Sequence, residues 1–174
     1  MREHLFNQLN IPMQSVNLPD GLVKNIGVAC QAYSDAIKAV GGLDLQLLGI
    51  GSNGHIGFNE PGTRFSSRTH VVQLAEQTRI DNGRFFTAQH EVPTHAITLG
   101  IQDILEAKEI ILVATGRSKA DIIAELFNSA MDEALPASAP KQHNNLTIVL
   151  DREAATLLPR QAFEKQCLAP SALA

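Results

Sequence analysis

Cysteine is scarce in this sequence. Cys30 and Cys167 lie far apart and form no Cys-x-x-Cys pair, which excludes a disulfide scaffold and a cysteine-rich zinc site. With no charged n-region and apolar h-region at its start, the chain reads as cytoplasmic, with reduced thiols. Long apolar runs are missing too. The strongest, Ile110-Ile111-Leu112-Val113-Ala114, is far short of the roughly 20 residues a bilayer span needs. Nor is there a basic block: 14 Lys+Arg stand against 18 Asp+Glu, a net charge of -4. No nucleic-acid or membrane partner is therefore expected, and small-molecule chemistry moves forward. His90, Glu91 and His95 lack a zinc-ligand spacing such as H-E-x-x-H, so neither metal nor cofactor is expected. Internal repeats and low-complexity tracts are absent as well.

What is present is an ordinary globular composition: 174 residues, 44% hydrophobic and 18% charged. A chain of this length suits one domain that buries roughly 70% of its unfolded surface. That domain is expected over residues 1–158, with 159–174 as a weakly patterned tail. Between Gly21 and Gly42, the apolar residues Val23, Ile26, Ala29, Cys30, Tyr33, Ala36, Ile37 and Val40 recur at helical spacing, and Gly41-Gly42 supplies the stop. Leu43 to Gly51 reads as a strand that ends in a glycine-rich loop. Further strands are expected at 69–74, 95–99, 109–115 and 146–151, with helices near 101–107, 118–127 and 152–157. This alternation predicts an α/β three-layer sandwich with a mostly parallel, Rossmann-like sheet, helices on both faces and a ligand at the carboxyl ends of the strands. Met1 to Gln8 reads as a short helix entering at once, without an opening strand-loop-helix unit, so the domain is expected to be truncated at its front.

Gly49-Ile50-Gly51-Ser52-Asn53-Gly54 matches G-x-G-x-x-G after a strand, the dinucleotide fingerprint. That motif needs a helix to follow. Here His55-Ile56-Gly57-Phe58-Asn59-Glu60-Pro61-Gly62 follows, and two glycines and a proline would break a helix in its first turns. The same glycines let backbone approach a ligand and turn N–H groups toward an anion or a sugar oxygen. Gly51 and Gly54 are thus candidate substrate contacts. Asn53, His55, Asn59 and Glu60 fall within eight positions of this loop. His55 can move a proton near neutrality, and a neighbouring Glu60 would fix its tautomer and favour its charged form. The alternative is that the asparagines satisfy turn backbone while His55 and Glu60 are solvated loop residues.

The segment Leu48 to Gly62, LGIGSNGHIGFNEPG, closely resembles the signature loop of the glucosamine-6-phosphate deaminases, also called glucosamine-6-phosphate isomerases. Ser67-Arg68-Thr69, Thr78-Arg79 to Arg84-Phe85-Phe86, Val92-Pro93 to Gly100-Ile101 and Gly116-Arg117-Ser118-Lys119-Ala120 are similar to the family's successive blocks. The likeness runs from about Met1 to Leu158.

This resemblance implies conversion of glucosamine 6-phosphate to fructose 6-phosphate and ammonia by ring opening, a proton shift between C2 and C1, and loss of the amine. His55 maps to the ring-opening histidine and Glu60 to its acidic partner. Asn53 stands where the family often has Asp, and a neutral amide can still hold the imidazole but stabilises its cation less, so a shifted pH profile is expected. Arg84 and Lys119 match positions that hold the substrate phosphate; read on their own, both suit solvated surface cations. N–H groups near Ser118, where a helix is expected to begin, would add to phosphate binding. Gln73 to His95 resembles the family's mobile lid. Thr63 corresponds to a hydroxyl of the effector site of allosteric members, but His70 and Val72 replace basic residues there, so no such activation is expected.

Family members also carry an opening strand, a Gly-Gly-Thr-Pro-like phosphate loop and an Asp that takes the C2 proton, none of which occurs in these 174 residues. Proton abstraction needs a base within about 3 Å of its target. A non-catalytic sugar-phosphate binder, monomer or homo-oligomer, therefore stands as one alternative. A 6-phosphogluconolactonase, whose related loop uses its histidine to activate water, stands as another; Asn59-Glu60-Pro61 favours the deaminase.

Overall fold

The structure, a computed structural model, describes residues 2–88 and 91–159. Cys167, His90 and nearly all of the expected tail lie outside them. After a single wide turn over Arg2–Phe6 and a 3-10 turn over Met13–Ser15, the chain enters α1, Ile26–Ala39. Asn25 caps it, its side-chain oxygen accepting from the Val28 N–H at 3.3 Å, which satisfies one of the orphan donors of the first turn. It ends where Gly41 and Gly42 take φ of 90° and 91° and donate back to Lys38 and Ile37, as a glycine stop does.

The remaining elements are β1 (Leu45–Gly49), β2 (His70–Gln73), α2 (Glu76–Asn82), β3 (His95–Thr98), α3 (Ile101–Leu105), β4 (Glu109–Ala114), α4 (Ala120–Asn128) and β5 (Leu146–Leu150). The α/β class and the parallel, Rossmann-like sheet are those expected from the pattern. That sheet has the order β1-β4-β5, with Leu48 beside Leu112 and Leu112 beside Ile148. β2 and β3 stand apart as an antiparallel pair, His70 facing Thr98 and Gln73 facing His95.

Side chains of a strand alternate between faces, and the two faces of this sheet differ. Leu48, Ile110, Leu112 and Ala114 point to the core, where Ile122, Ile123 and Leu126 of α4 and Ile104 of α3 meet them. The opposite face carries Leu45, Leu47 and Val149, and Leu47 is 64% exposed. Among the described residues, then, helices cover one face and leave the second open.

One expected helix does not form. Residues 152–157 make consecutive turns: the Thr156 hydroxyl donates to the Arg152 and Glu153 carbonyls at 3.1 and 2.7 Å, a side chain competing for acceptors of a helical ladder, and the Thr156 and Leu158 N–H groups reach back only three residues, to Glu153 and Ala155. One helix escaped the periodicity: α2 spans only seven residues, too few for a 3.6-residue repeat to be distinct. No helix among the described residues is long and apolar enough to cross a membrane.

Candidate active site

Parallel strands present their loops at one end, and the loops after β1 and β4, with α2 and the turn after it, build this site. The loop after β1 is held at both sides. Ile56 and Asn59 are fully buried; the Asn59 amide donates to the Ile56 carbonyl at 3.0 Å and to the Leu99 carbonyl at 2.8 Å. The Phe58 N–H donates to the Thr98 hydroxyl at 3.1 Å. The end of β3 thus anchors the loop from below. Above, the Gly51 N–H donates to the His55 carbonyl at 2.9 Å, a tight turn that folds the imidazole over Gly51. Any Cβ at Gly51 would strike the His55 ring, so this position needs glycine for space.

The polar residues of the loop form a chain. Asn53 Nδ2 donates to Glu60 Oε2 at 2.7 Å, and the same amide's Oδ1 lies 2.7 Å from His55 Nδ1 and accepts from the His55 backbone N–H at 3.3 Å. An amide nitrogen that donates to a carboxylate leaves its oxygen to face the imidazole. Nδ1 must then carry the proton, and Nε2 is the nitrogen with the lone pair. Glu60 Oε2 lies 3.6 Å from His55 Nδ1, with the His55 and Glu60 side chains 20% and 15% exposed. The carboxylate is therefore placed to favour the imidazolium once it forms.

His55 borders a cavity of about 550 Å³ lined also by Gly49, Gly51, Ser52 and Gly57 from the first loop, Thr78, Asn82 and Arg84 from α2 and the turn after it, and Ser118 and Lys119 from the loop after β4. His55, Arg84, Lys119 and Gly51 come together as the sequence suggested. Asn53 and Glu60 lie beside the imidazole and do not line the cavity. Gly54 does not line it either: its φ is 82°, and a Cβ there would meet Leu135 and Ile122. It shapes the turn against the core, and the substrate-contact expectation for Gly54 gives way to a structural one.

Lys119 closes the 3-10 turn Arg117–Lys119 that leads into α4, and its own N–H is taken by the Gly116 carbonyl at 3.0 Å. Asp151, at the end of β5, accepts from the Gly116 N–H at 2.9 Å. Backbone N–H groups of Ala154 and Gly116 hold the Asp151 carboxyl below the usual carboxylate range. Arg84 lies over the Phe85 ring, 4.8 Å from its centroid, which limits the freedom of an exposed guanidinium. Thr63 turns its hydroxyl to the Glu60 carbonyl at 2.6 Å.

Sequence reasoning did not single out Thr78 and Asn82 as site residues. The Thr78 hydroxyl donates to Glu60 Oε1 at 2.8 Å across 18 positions of sequence, and Asn82 donates to the Thr78 carbonyl at 2.7 Å. No local pattern signals such a contact.

Comparison with known proteins gives a consistent set. A family model described as glucosamine-6-phosphate isomerases/6-phosphogluconolactonase matches residues 1–149. The glucosamine-6-phosphate deaminase of Shouchella clausii is 50% identical over 162 residues, covering 93% of this chain and 66% of that protein. The glucosamine-6-phosphate deaminase of Bacillus pumilus is 52% identical over 157 residues, covering 90% and 65%. This chain thus spans slightly under two thirds of the length of those relatives. A solved monomeric glucosamine-6-phosphate deaminase of the NagB superfamily superposes with a TM-score of 0.81 at 46% identity, over 84% of this chain and 61% of that one. The 6-phosphogluconolactonase of Trypanosoma brucei, at 22% identity and a TM-score of 0.60 over 84% and 59%, shares the fold.

Proposed function

Because this chain belongs to the family of glucosamine-6-phosphate isomerases and 6-phosphogluconolactonases, we propose that it acts on glucosamine 6-phosphate, giving fructose 6-phosphate and ammonia. The observation that carries this reading is an imidazole of defined tautomer in a cavity that also bears two cations. Arg84 and Lys119 border the same cavity as His55, a guanidinium fork and an ammonium suited to a phosphate dianion. With the phosphate held there, the sugar is brought to the imidazole.

Ring opening transfers the proton of the anomeric hydroxyl to the ring oxygen while the C1–O bond of the ring breaks. His55 Nε2 takes that proton and returns it, and Asn53 and Glu60 keep the ring oriented and favour its transient charge. The open aldehyde then shifts a proton from C2 to C1, water adds at C2 and ammonia leaves. Among the described residues no Asp or Glu lines the cavity, so that lining holds no carboxylate base for the C2 proton. This observation favours a second reading, binding of the sugar phosphate without turnover.

Calorimetric titration of the chain with glucosamine 6-phosphate, beside an ammonia assay, separates the two. Binding with ammonia release supports the deaminase, and binding alone supports the second reading. Absence of binding, or hydrolysis of 6-phosphogluconolactone in its place, overturns both. His55→Gln is expected to abolish turnover where the wild type has it, and unchanged turnover would remove the ring-opening role.

A further inference from the structure

We infer that Thr78 is a positioning residue for the acid-base pair of the site, coupling the placement of α2 to the orientation of Glu60 and, through it, to His55. The inference rests on the reading of His55 as the proton-transfer group. Thr78 is 4% exposed, so its hydroxyl needs a partner inside the fold. It donates to Glu60 Oε1 at 2.8 Å, while Asn53 donates to Oε2 at 2.7 Å. The two carboxylate oxygens thus take donors from different elements, one from the loop after β1 and one from α2.

This division has a mechanical consequence. A carboxylate held at one oxygen turns freely about its last torsion, whereas one held at both is fixed in plane. Glu60 lies 3.6 Å from His55 Nδ1, so its orientation sets how well it favours the imidazolium. The segment that carries Thr78 also carries Asn82 and Arg84 to the cavity, and Asn82 is tied to the Thr78 carbonyl at 2.7 Å. An anion drawn to Arg84 therefore bears on α2, and α2 bears on Glu60. Among the described residues, Glu60 of its own loop lies beside His55, and Arg84 from the turn after α2 and Lys119 from the turn before α4 border the same cavity. Thr78 touches the first of them and shares a segment with the second.

The test uses the full chain and reads the coupling without ligand. Thr78→Val keeps the side-chain shape and removes the donor, while Thr78→Ser keeps the donor. In Thr78→Val, the His55 titration midpoint by NMR is expected to fall by roughly half a pH unit. Amide hydrogen exchange over residues 76–85 is expected to quicken about tenfold. Thr78→Ser should titrate and exchange as the wild type does. Glu60→Ala, read from the other side, should quicken exchange in the same residues, since coupling is reciprocal; it serves also if the valine variant does not fold. A wild-type His55 titration in Thr78→Val, a serine variant that fails to restore it, or unchanged exchange in Glu60→Ala overturns the coupling. Failure of the wild type to bind glucosamine 6-phosphate, with these shifts intact, overturns the functional reading and leaves the coupling in place.

Discussion

Gly116 donates its backbone N–H to the Asp151 carboxylate at 2.9 Å, joining the loop after β4 to the end of β5. Lys119 and Ser118 sit just beyond that glycine and border the cavity. Asp151 contributes no surface to the cavity lining and still sets where the lysine begins. Asp151→Ala is expected to weaken binding of glucosamine 6-phosphate roughly threefold to tenfold with His55 titrating as before. Because the native Asp151 carboxyl is held low, the tie is complete above the ordinary carboxylate range and is lost as pH falls through the lowered native value. Calorimetry of wild type and variant at neutral pH checks the first statement, and equal affinities would contradict it.

Asn53 places a neutral amide between His55 and Glu60. Asn53→Asp puts a second anion beside the imidazole, which raises its pKa. The His55 midpoint is expected to rise by about one pH unit. The imidazolium then persists to higher pH, and any turnover moves its optimum upward. NMR titration of the variant against the wild type decides this.

Gly51 and Gly54 predict different failures from the same substitution. At Gly51 a Cβ meets the His55 ring, so Gly51→Ala is expected to displace the imidazole and remove activity with little change in melting temperature. At Gly54 the φ of 82° is left-handed and a Cβ meets Leu135. Gly54→Ala is expected to lower stability by about 1–3 kcal/mol, read as a lowered melting temperature. Identical behaviour of the two variants would contradict the assignment of Gly54 to the core.

Away from the site, Arg68 bridges Asp103 and Glu106, and Asp103 also accepts from the N–H and hydroxyl of Thr69. The Arg68 guanidinium holds the Glu106 carboxyl below its ordinary value. A carboxyl lowered in the native state gives stability that is complete above its unfolded pKa and disappears as pH falls through the native one. Glu106→Gln is therefore expected to flatten the loss of stability between about pH 5 and 3, with a modest drop at neutral pH because the pair is partly exposed. Urea unfolding across that pH range measures it.

Much of this molecule is legible along the chain. The five strands and the main helices follow from apolar spacing. The breakers after Gly51 ruled out a nucleotide-binding helix, and the loop Leu48–Gly62 drew attention to His55. What periodicity missed was short or decided by side-chain hydrogen bonds: α2 has seven residues, and over 152–157 the Thr156 hydroxyl takes the Arg152 and Glu153 carbonyls within a run of turns.

The sequence by itself determined which segments become strands, where the reactive loop lies and which residue types stand ready there, because these depend on neighbours a few positions away. Only the tertiary structure decided that Asn53 and Glu60 lie beside the imidazole, that Gly54 faces the core, and that Thr78 reaches Glu60 from another element. Those contacts span separate loops and elements whose approach is set by packing on the sheet, and side-chain direction at a packed junction has no signature in local spacing.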